Sequence, residues 1–428
     1  MREDPFLIGD GAGFSGDRLD APGPVVDTLI ASGRPAAMMF EVLAERTLAL
    51  AQLARRSDPD AGYEPMLDAL IRPILKRCVA HAIPIVGNFG AANPMGAARL
   101  LHRIAREEGI PALTVGVVGG DDLRGTVAPE DMALWEADKA IDLARTEIIA
   151  ANAYLGAFPI AEALGRGAQV VVTGRVADPA LALGPLIHHF GWAETDWDRL
   201  AAGTLVGHLL ECGAQVTGGY FGDPGWKDIP DPADIGFPIA EVSSDGSAVI
   251  TKAAGTGGLV SARTVKEQIL YEMHDPAGYL TPDVVLDVTG VDVTEVGRDR
   301  VRVSGARGRP RPATLKVTAS VDGGWLGEGE ITYAGINALA RARMAGDTVL
   351  ERVRRLGLDC EARYDLIGYA SDFDGDTGAM RRAAAPEPAE VRLRVAARSA
   401  DRAVADRVGR EVLALYCCGP AGGGGVRW

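Results

Sequence analysis

The segment FEVLAERTLALAQL sets Glu41 and Glu45 four residues apart, with Arg46 beside them. On a helix that spacing puts both carboxylates on one face, where they could act as acid and base or hold a metal ion. The plain alternative is a solvated face, but the flanking residues are strongly apolar. A second constellation lies in GHLLECGAQVTGGYFGD. His208 and Cys212 at i and i+4, with Glu211 at i+3, suit a Cys/His nucleophile pair, a partial metal site, or ordinary packing. A metal would need further ligands. His188, His189 and Asp223 are the candidates, the spacing chooses none of them, and no metal is assigned.

Three further stretches end on polar groups. In TGRVADPALALGP, Asp178 and Pro179 read as an N-cap with proline at the first helical position. Arg175 either pairs with Asp178 or presents its guanidinium fork to a carboxylate or phosphate. In NFGAANPMGAARLL, Asn93 is an N-cap before Pro94, whereas Asn88 at a strand end could hydrogen-bond a substrate carbonyl. In FLIGDGAGFSGDR, backbone N–H groups around Gly11 and Gly13 could face an anion, with Asp17 and Arg18 as side-chain contacts. Residues 11–16 match GxGxxG after a strand. Pro22 and Pro24, however, keep a helix from starting directly after Gly16. His274, before Asp275-Pro276, reads as a helix terminus, with a general base as the alternative.

The elements that must position these groups alternate. Short apolar strands are expected at 6–8, 36–40, 83–88, 113–118 and 169–173, with amphipathic helices between them, such as 64–81 and 96–108. Continuous apolar strands separated by helices predict a parallel sheet covered on both faces. Ligands in such sheets sit at the carboxyl ends of the strands. The loops at 9–18, 88–94, 116–123 and 173–183 would then converge on one edge. After about residue 280 the texture changes to strands joined by Gly/Pro/Arg turns, with GARGRPRP (305–312) an exposed loop. The last hundred residues read strand, helix, strand, strand, helix, with a polar connection at 375–390. The terminal glycine tetrad is expected to fold back onto a site or a neighbouring subunit. The fold class is therefore α/β: a mostly parallel three-layer sheet domain carrying the site at 1–282, then a smaller β-rich and α+β part at 283–428.

The 428 residues are 47% hydrophobic and 24% charged, with a formal net charge of -14. An acidic chain of this kind lacks the basic face that nucleic-acid binding needs. No apolar run reaches the length of a membrane span, and no apolar leader opens the chain. Five cysteines at wide spacings fit neither a disulfide framework nor a structural zinc site. A cytoplasmic protein, by default a homo-oligomer, is expected.

Taken together and in order, GDGAGFSGDR, FEVLAERTLALAQ, NFGAANP, VVVTGRVADPALALGP, GHLLECGAQVTGGYF, TGGLVSARTVKEQILYEMHDPAGYLTPDV and YCCGPAGGGGVR make the sequence resemble the acyclic terpene utilisation protein AtuA family. The likeness runs over nearly the whole chain. It implies a bacterial protein of acyclic terpene or branched-acid catabolism, acting on CoA thioesters beside acyl-CoA carboxylases, acyl-CoA dehydrogenases and enoyl-CoA hydratases. Some relatives carry an additional C-terminal ferredoxin-like domain. This chain stops at the glycine tetrad, so a small separate partner of that fold is expected.

The reading is an enzyme that hydrates, dehydrates or hydrolyses an acyl-CoA or related carboxylated small molecule, with no bound redox cofactor. Glu41 or Glu45 would be the acid/base, Arg175 the anion clamp and Asn88 a carbonyl donor. His208 and Cys212 would line the same pocket, with Gly11, Gly13, Asp17, Arg18, Asn93 and Asp178 around the substrate. The rivals are a non-catalytic scaffold or regulatory subunit and an NAD(P)-dependent oxidoreductase.

Overall fold

In the computed structural model, residues 5–128, 132, 147–371 and 387–428 are described. Most of the connection expected at 375–390 lies outside them. The chain forms two compact units, Met1–Val321 and Asp322–Trp428.

The first unit is built on β1 (Phe6–Asp10), β2 (Ala36–Phe40), β3 (Ile85–Gly87), β4 (Val115–Val118), β5 (Ile148–Ala153) and β6 (Val170–Thr173). Five of these run parallel in the order β1-β2-β3-β6-β4. Their side chains alternate between two cores because successive strand residues point to opposite faces. Ile8, Met39, Val86 and Val171 enter one core, and Leu7, Met38, Phe40, Ile85, Val170 and Val172 the other. Helices α1 (Pro22–Ser32), α3 (Leu67–Ala80) and α4 (Pro94–Glu107) cover the second face. Helices α5 (Phe158–Gly165), α6 (Ala180–Phe190), α7 (Trp197–Leu210) and α8 (Ala262–Leu270) cover the first. The remaining helix, α2 (Glu45–Ser57), starts just after the end of β2. This is the expected three-layer α/β arrangement.

The sheet continues beyond β1 with antiparallel strands. These are β7 (Pro238–Val242), β8 (Ala248–Lys252), β11 (Asp292–Gly297) and β12 (Arg300–Ser304), completing nine strands. Residues 283–321, grouped above with the C-terminal part, thus pair within the first unit. There β9 (Tyr279–Leu280), β10 (Val285–Asp287) and β13 (Arg307–Arg309) form a small sheet. Part of GARGRPRP is therefore strand rather than loop, but an edge strand, where arginines can stay solvated. Strand β14 (Val317–Val321) pairs with β5.

The second unit runs β15 (Trp325–Ala334), α9 (Ala338–Arg355), β16 (Glu361–Ile367), β17 (Glu390–Ser399), α10 (Arg402–Leu413), α11 (Leu415–Cys418) and β18 (Gly423–Arg427). The antiparallel order β16-β17-β15-β18 is the split βαβ arrangement of ferredoxin-like folds. The glycine tail does fold back, but its partner is β15 of its own unit. Among the described residues no helix is long and apolar enough to cross a membrane.

The opening glycines serve close packing. A Cβ on Gly11 would fall on the Phe40 ring, and one on Gly13 on the backbone of Cys212 and Gly213. Gly13→Ala must therefore push the two loops apart. It should lower stability by about 1–3 kcal/mol, the usual cost of overpacking, measured by urea unfolding. An unchanged midpoint would show that the loops do not meet there.

A candidate acid/base site at the strand ends

Parallel pairing brings the carboxyl ends of five strands to one edge. Asp10 ends β1, Glu41 follows β2, Asn88 follows β3, Asp121 lies just past β4, and Arg175 follows β6. All five are buried, because apolar strands and loops carry them inward. Polar groups so placed must find partners.

Glu41 is 7% exposed. Its Oε1 accepts from the Leu43 N–H at 2.9 Å and from Asn88 Nδ2 at 2.7 Å. Asn88 Oδ1 accepts from the Val42 N–H at 2.7 Å. Both ends of the Asn88 amide are thus spent on holding the Glu41 turn. Burial, reinforced by the charge on Asp178, pushes the Glu41 carboxyl up to about 8 against the pull of Arg175. Glu41 and Glu45 do not share a helix face: Glu41 lies in the strand-end turn, and Glu45 opens α2.

Arg175 is fully buried and donates to the carbonyls of Leu43 and Val176 and to Asp178 Oδ1. Its backbone N–H donates to Asp121 Oδ2 at 2.9 Å, and Asn152 Nδ2 donates to the same oxygen at 2.7 Å. Gly174 makes room for this, since a Cβ there would fall on the Asp121 carboxylate. Asp178 does not cap α6: the helix starts at Ala180 with Pro179 in the cap position. Asp178 is held by Arg175 instead. Its side chain keeps 36% exposure, yet burial is the largest influence raising its pKa, with the Arg175 charge opposing.

The Glu45 side chain is about half exposed. Its carboxylate accepts from the Tyr154 hydroxyl and lies 3.3 Å from Lys316 Nζ. Partial burial raises its pKa, but Tyr154 and Lys316 outweigh this and bring it to about 2. The Tyr154 ring carries Arg175 at 4.6 Å and Lys316 at 4.5 Å from its centroid, and Thr318 donates to its hydroxyl at 3.1 Å.

His208, on α7, is buried with Nδ1 2.9 Å from Glu211 Oε1 and Nε2 3.2 Å from the Ile269 carbonyl. A carbonyl only accepts, so Nε2 carries a proton, and one further proton is shared between Nδ1 and Glu211. Burial pushes Glu211 up to about 7 against the pull of His208, with Asp178 and Glu272 adding to the rise. Burial opposes the charged His208, but Glu211 outweighs it and raises the His208 pKa. Cys212 lies beyond the helix end, so it does not complete an i, i+4 face. Burial raises its thiol, and the charges of Glu211, Glu272 and Glu41 raise it further. That holds the sulfur as a thiol at neutral pH. Asp178 acts by its charge on both Glu41 and Glu211, and these two act on Cys212, so the groups are linked electrostatically.

Other expected contacts have structural partners. Asp17 accepts from the Gly13 and Arg18 N–H groups. Arg18 pairs with Asp20 and Asp234 and donates to the Ile235 carbonyl. Asn93 caps α4 as expected, accepting from Gly96 at 3.0 Å and donating to Pro59 and Ala61 carbonyls. His189 stacks on Phe6 at 4.3 Å. His274 is exposed. Among the described residues, no three of His, Cys, Asp and Glu are grouped to hold a metal ion.

Sequence reasoning passed over Asp10, Asp121, Tyr154 and Lys316. Asp10 and Asp121 lie within strand-end loops it had selected, and a carboxylate ending an apolar run was the available signal. Asp10 is fully buried with Oδ2 unpaired, and burial, then Asp17 and Glu41, raises its pKa.

Fold and site together define a three-layer α/β protein with buried, partly protonated carboxyls along the carboxyl edge of its parallel strands. The model of the acyclic terpene utilisation family protein AtuA matches residues 6–428. The chain belongs to that family, and hence to acyclic terpene utilisation. No curated protein and no solved structure matches it.

The raised Glu41 pKa has a defined sign. The folded state holds this proton up to about 8, while the unfolded chain releases it near 4.5. The stability that Glu41 contributes is therefore fully present below about pH 4.5 and is lost as pH rises to about 8. Glu211 and Asp10 contribute in the same direction. Glu41→Gln, which keeps an acceptor for Leu43 and Asn88, should make the fall between about pH 4.5 and about 8 shallower, read as unfolding temperature against pH. An unaltered slope would contradict a protonated Glu41.

Proposed function

We propose that this chain adds water to, or removes it from, an acyl-CoA or related carboxylated small molecule, using Glu41 as general acid and Asp178, paired with Arg175, as the base. The observation that carries this reading is a buried carboxyl held protonated to about 8, with the partly exposed Asp178, which Arg175 holds in place, acting on it by its charge. Two carboxyls with different environments divide into acid and base roles. In a dehydration, Asp178 would take the proton from the carbon next to the acyl carbonyl. The C–C double bond forms as the C–O bond breaks, and Glu41 gives its proton to the departing hydroxyl, releasing water. Hydration is the reverse. Proton transfers alone balance this chemistry, so no redox partner is called on.

Asn88 and Arg175 act in this reading as positioning residues for Glu41 and Asp178. The His208–Glu211 pair is a buried store of one proton behind them. Cys212 is disfavoured as a nucleophile by its raised pKa, which favours hydration chemistry over thiolate-mediated hydrolysis. A scaffold would have no use for desolvated carboxyls, whose burial costs stability.

Incubation with a panel of 2-enoyl- and 3-hydroxyacyl-CoA thioesters, followed by mass spectrometry, tests the proposal. At least one member should gain or lose one water. Glu41→Gln and Asp178→Asn should each slow the conversion by about 10²–10⁴-fold. No mass change with folded wild type, or undiminished rates in both variants, would rule the proposal out.

A further inference from the structure

The acid/base reading leaves one charged segment unused. In a chain of net charge -14, residues 305–316 (GARGRPRPATLK) carry Arg307, Arg309, Arg311 and Lys316 and no acidic residue. Arg309 and Arg311 each precede a proline, which confines them to extended backbone. Pro310 and Pro312 fix their own φ. The result is a stiff cationic arm whose charged side chains are exposed.

These charges have acidic neighbours at the surface, and the charge of Arg309 also acts on Asp287 and that of Arg311 on Asp283. Arg309 donates to the Ala277 carbonyl at 3.0 Å and has no ion-pair partner among the described residues. Arg311 approaches Glu194 at 3.8 Å, and the exposed Arg307 meets Asp198 at 3.1 Å. Exposed pairs of this kind hold weakly. The arm ends beside the candidate site: Lys316 lies over the Tyr154 ring, 3.3 Å from Glu45, and its charge acts on Asp178. Arg311 lies five positions before Lys316, a reach of at most about 17 Å along the chain. A polyanion lying along this segment from the candidate site would therefore meet Lys316 first and the two guanidinium forks of Arg311 and Arg309 further on.

We propose that the 305–316 arm binds the phosphate groups of a coenzyme A thioester whose acyl end lies over Glu41 and Asp178. The inference rests on the acyl-CoA reading above and adds where the carrier is held. Guanidinium forks match phosphate oxygens two at a time. On a surface that otherwise repels polyanions, a local cationic track also concentrates them.

Calorimetric titration of the full chain with coenzyme A, 3′,5′-ADP and inorganic pyrophosphate tests this, at low and raised salt. Wild type should bind coenzyme A, less tightly as salt rises. Arg309→Ser/Arg311→Ser should weaken binding by at least about tenfold, and Arg309→Glu/Arg311→Glu should abolish it. Unfolding temperatures should be retained, since both side chains are exposed. Weaker binding of 3′,5′-ADP and pyrophosphate marks the whole carrier as ligand; pyrophosphate binding as tightly as coenzyme A would overturn a carrier site in favour of a simple phosphate site. The proposal also fails if folded wild type does not bind coenzyme A, or if both double variants bind it as wild type does. Glu41→Gln should bind coenzyme A normally, so retained turnover in that variant faults only the acid/base reading.

Discussion

Burying carboxyl groups is expensive, and this site depends on how the expense is met. A carboxylate withdrawn from water must be hydrogen-bonded, paired, or protonated. Glu41 shows the first and third together: two donors hold Oε1, and its pKa still climbs to about 8. Asp121 takes two donors, and Asp178 takes Arg175. Arg175 is the common support. Buried itself, it ties the turn after β2 to the turn after β6 through the Leu43 carbonyl and Asp178.

That support exists because the strands are parallel. In a parallel sheet every carboxyl end faces the same way, so residues distant in sequence meet without long connections. Glu41 and Asn88 meet because β2 and β3 are neighbours in register, Phe40 opposite Gly87. Small residues then let the loops close in. Gly174 admits the Asp121 carboxylate, and Gly13 admits the turn that carries Cys212. What first reads as a phosphate-binding glycine motif is a close-packing device here, since the space over Gly11 is filled by Phe40.

Much of the fold was legible in the sequence, and for identifiable reasons. The strand at 36–40 matches its expected limits, because a continuous apolar run starts after Pro35 and ends at the charged Glu41. Helices α3 and α4 carry marked apolar faces. Strand β18 escaped notice because GGGVR has no side-chain pattern to detect; its pairing to β15 is a backbone matter. Strands β7 and β8 are five residues each, and their place is decided by pairing with β1 and β12, which are distant in sequence.

For the site the division is sharper. Sequence by itself determined the residue types, the strand-end loops that carry them, and the family, because strand ends are marked by local composition and the motifs recur in order along the chain. Tertiary structure decided which groups meet. It separated Glu41 from Glu45, turned Asn88 from a carbonyl donor into the brace of Glu41, and gave Asp178 to Arg175 rather than to a helix cap. It also brought in Asp10, Asp121, Tyr154 and Lys316. Protonation and pairing depend on distance and dielectric between segments far apart in the chain, and no local spacing encodes those.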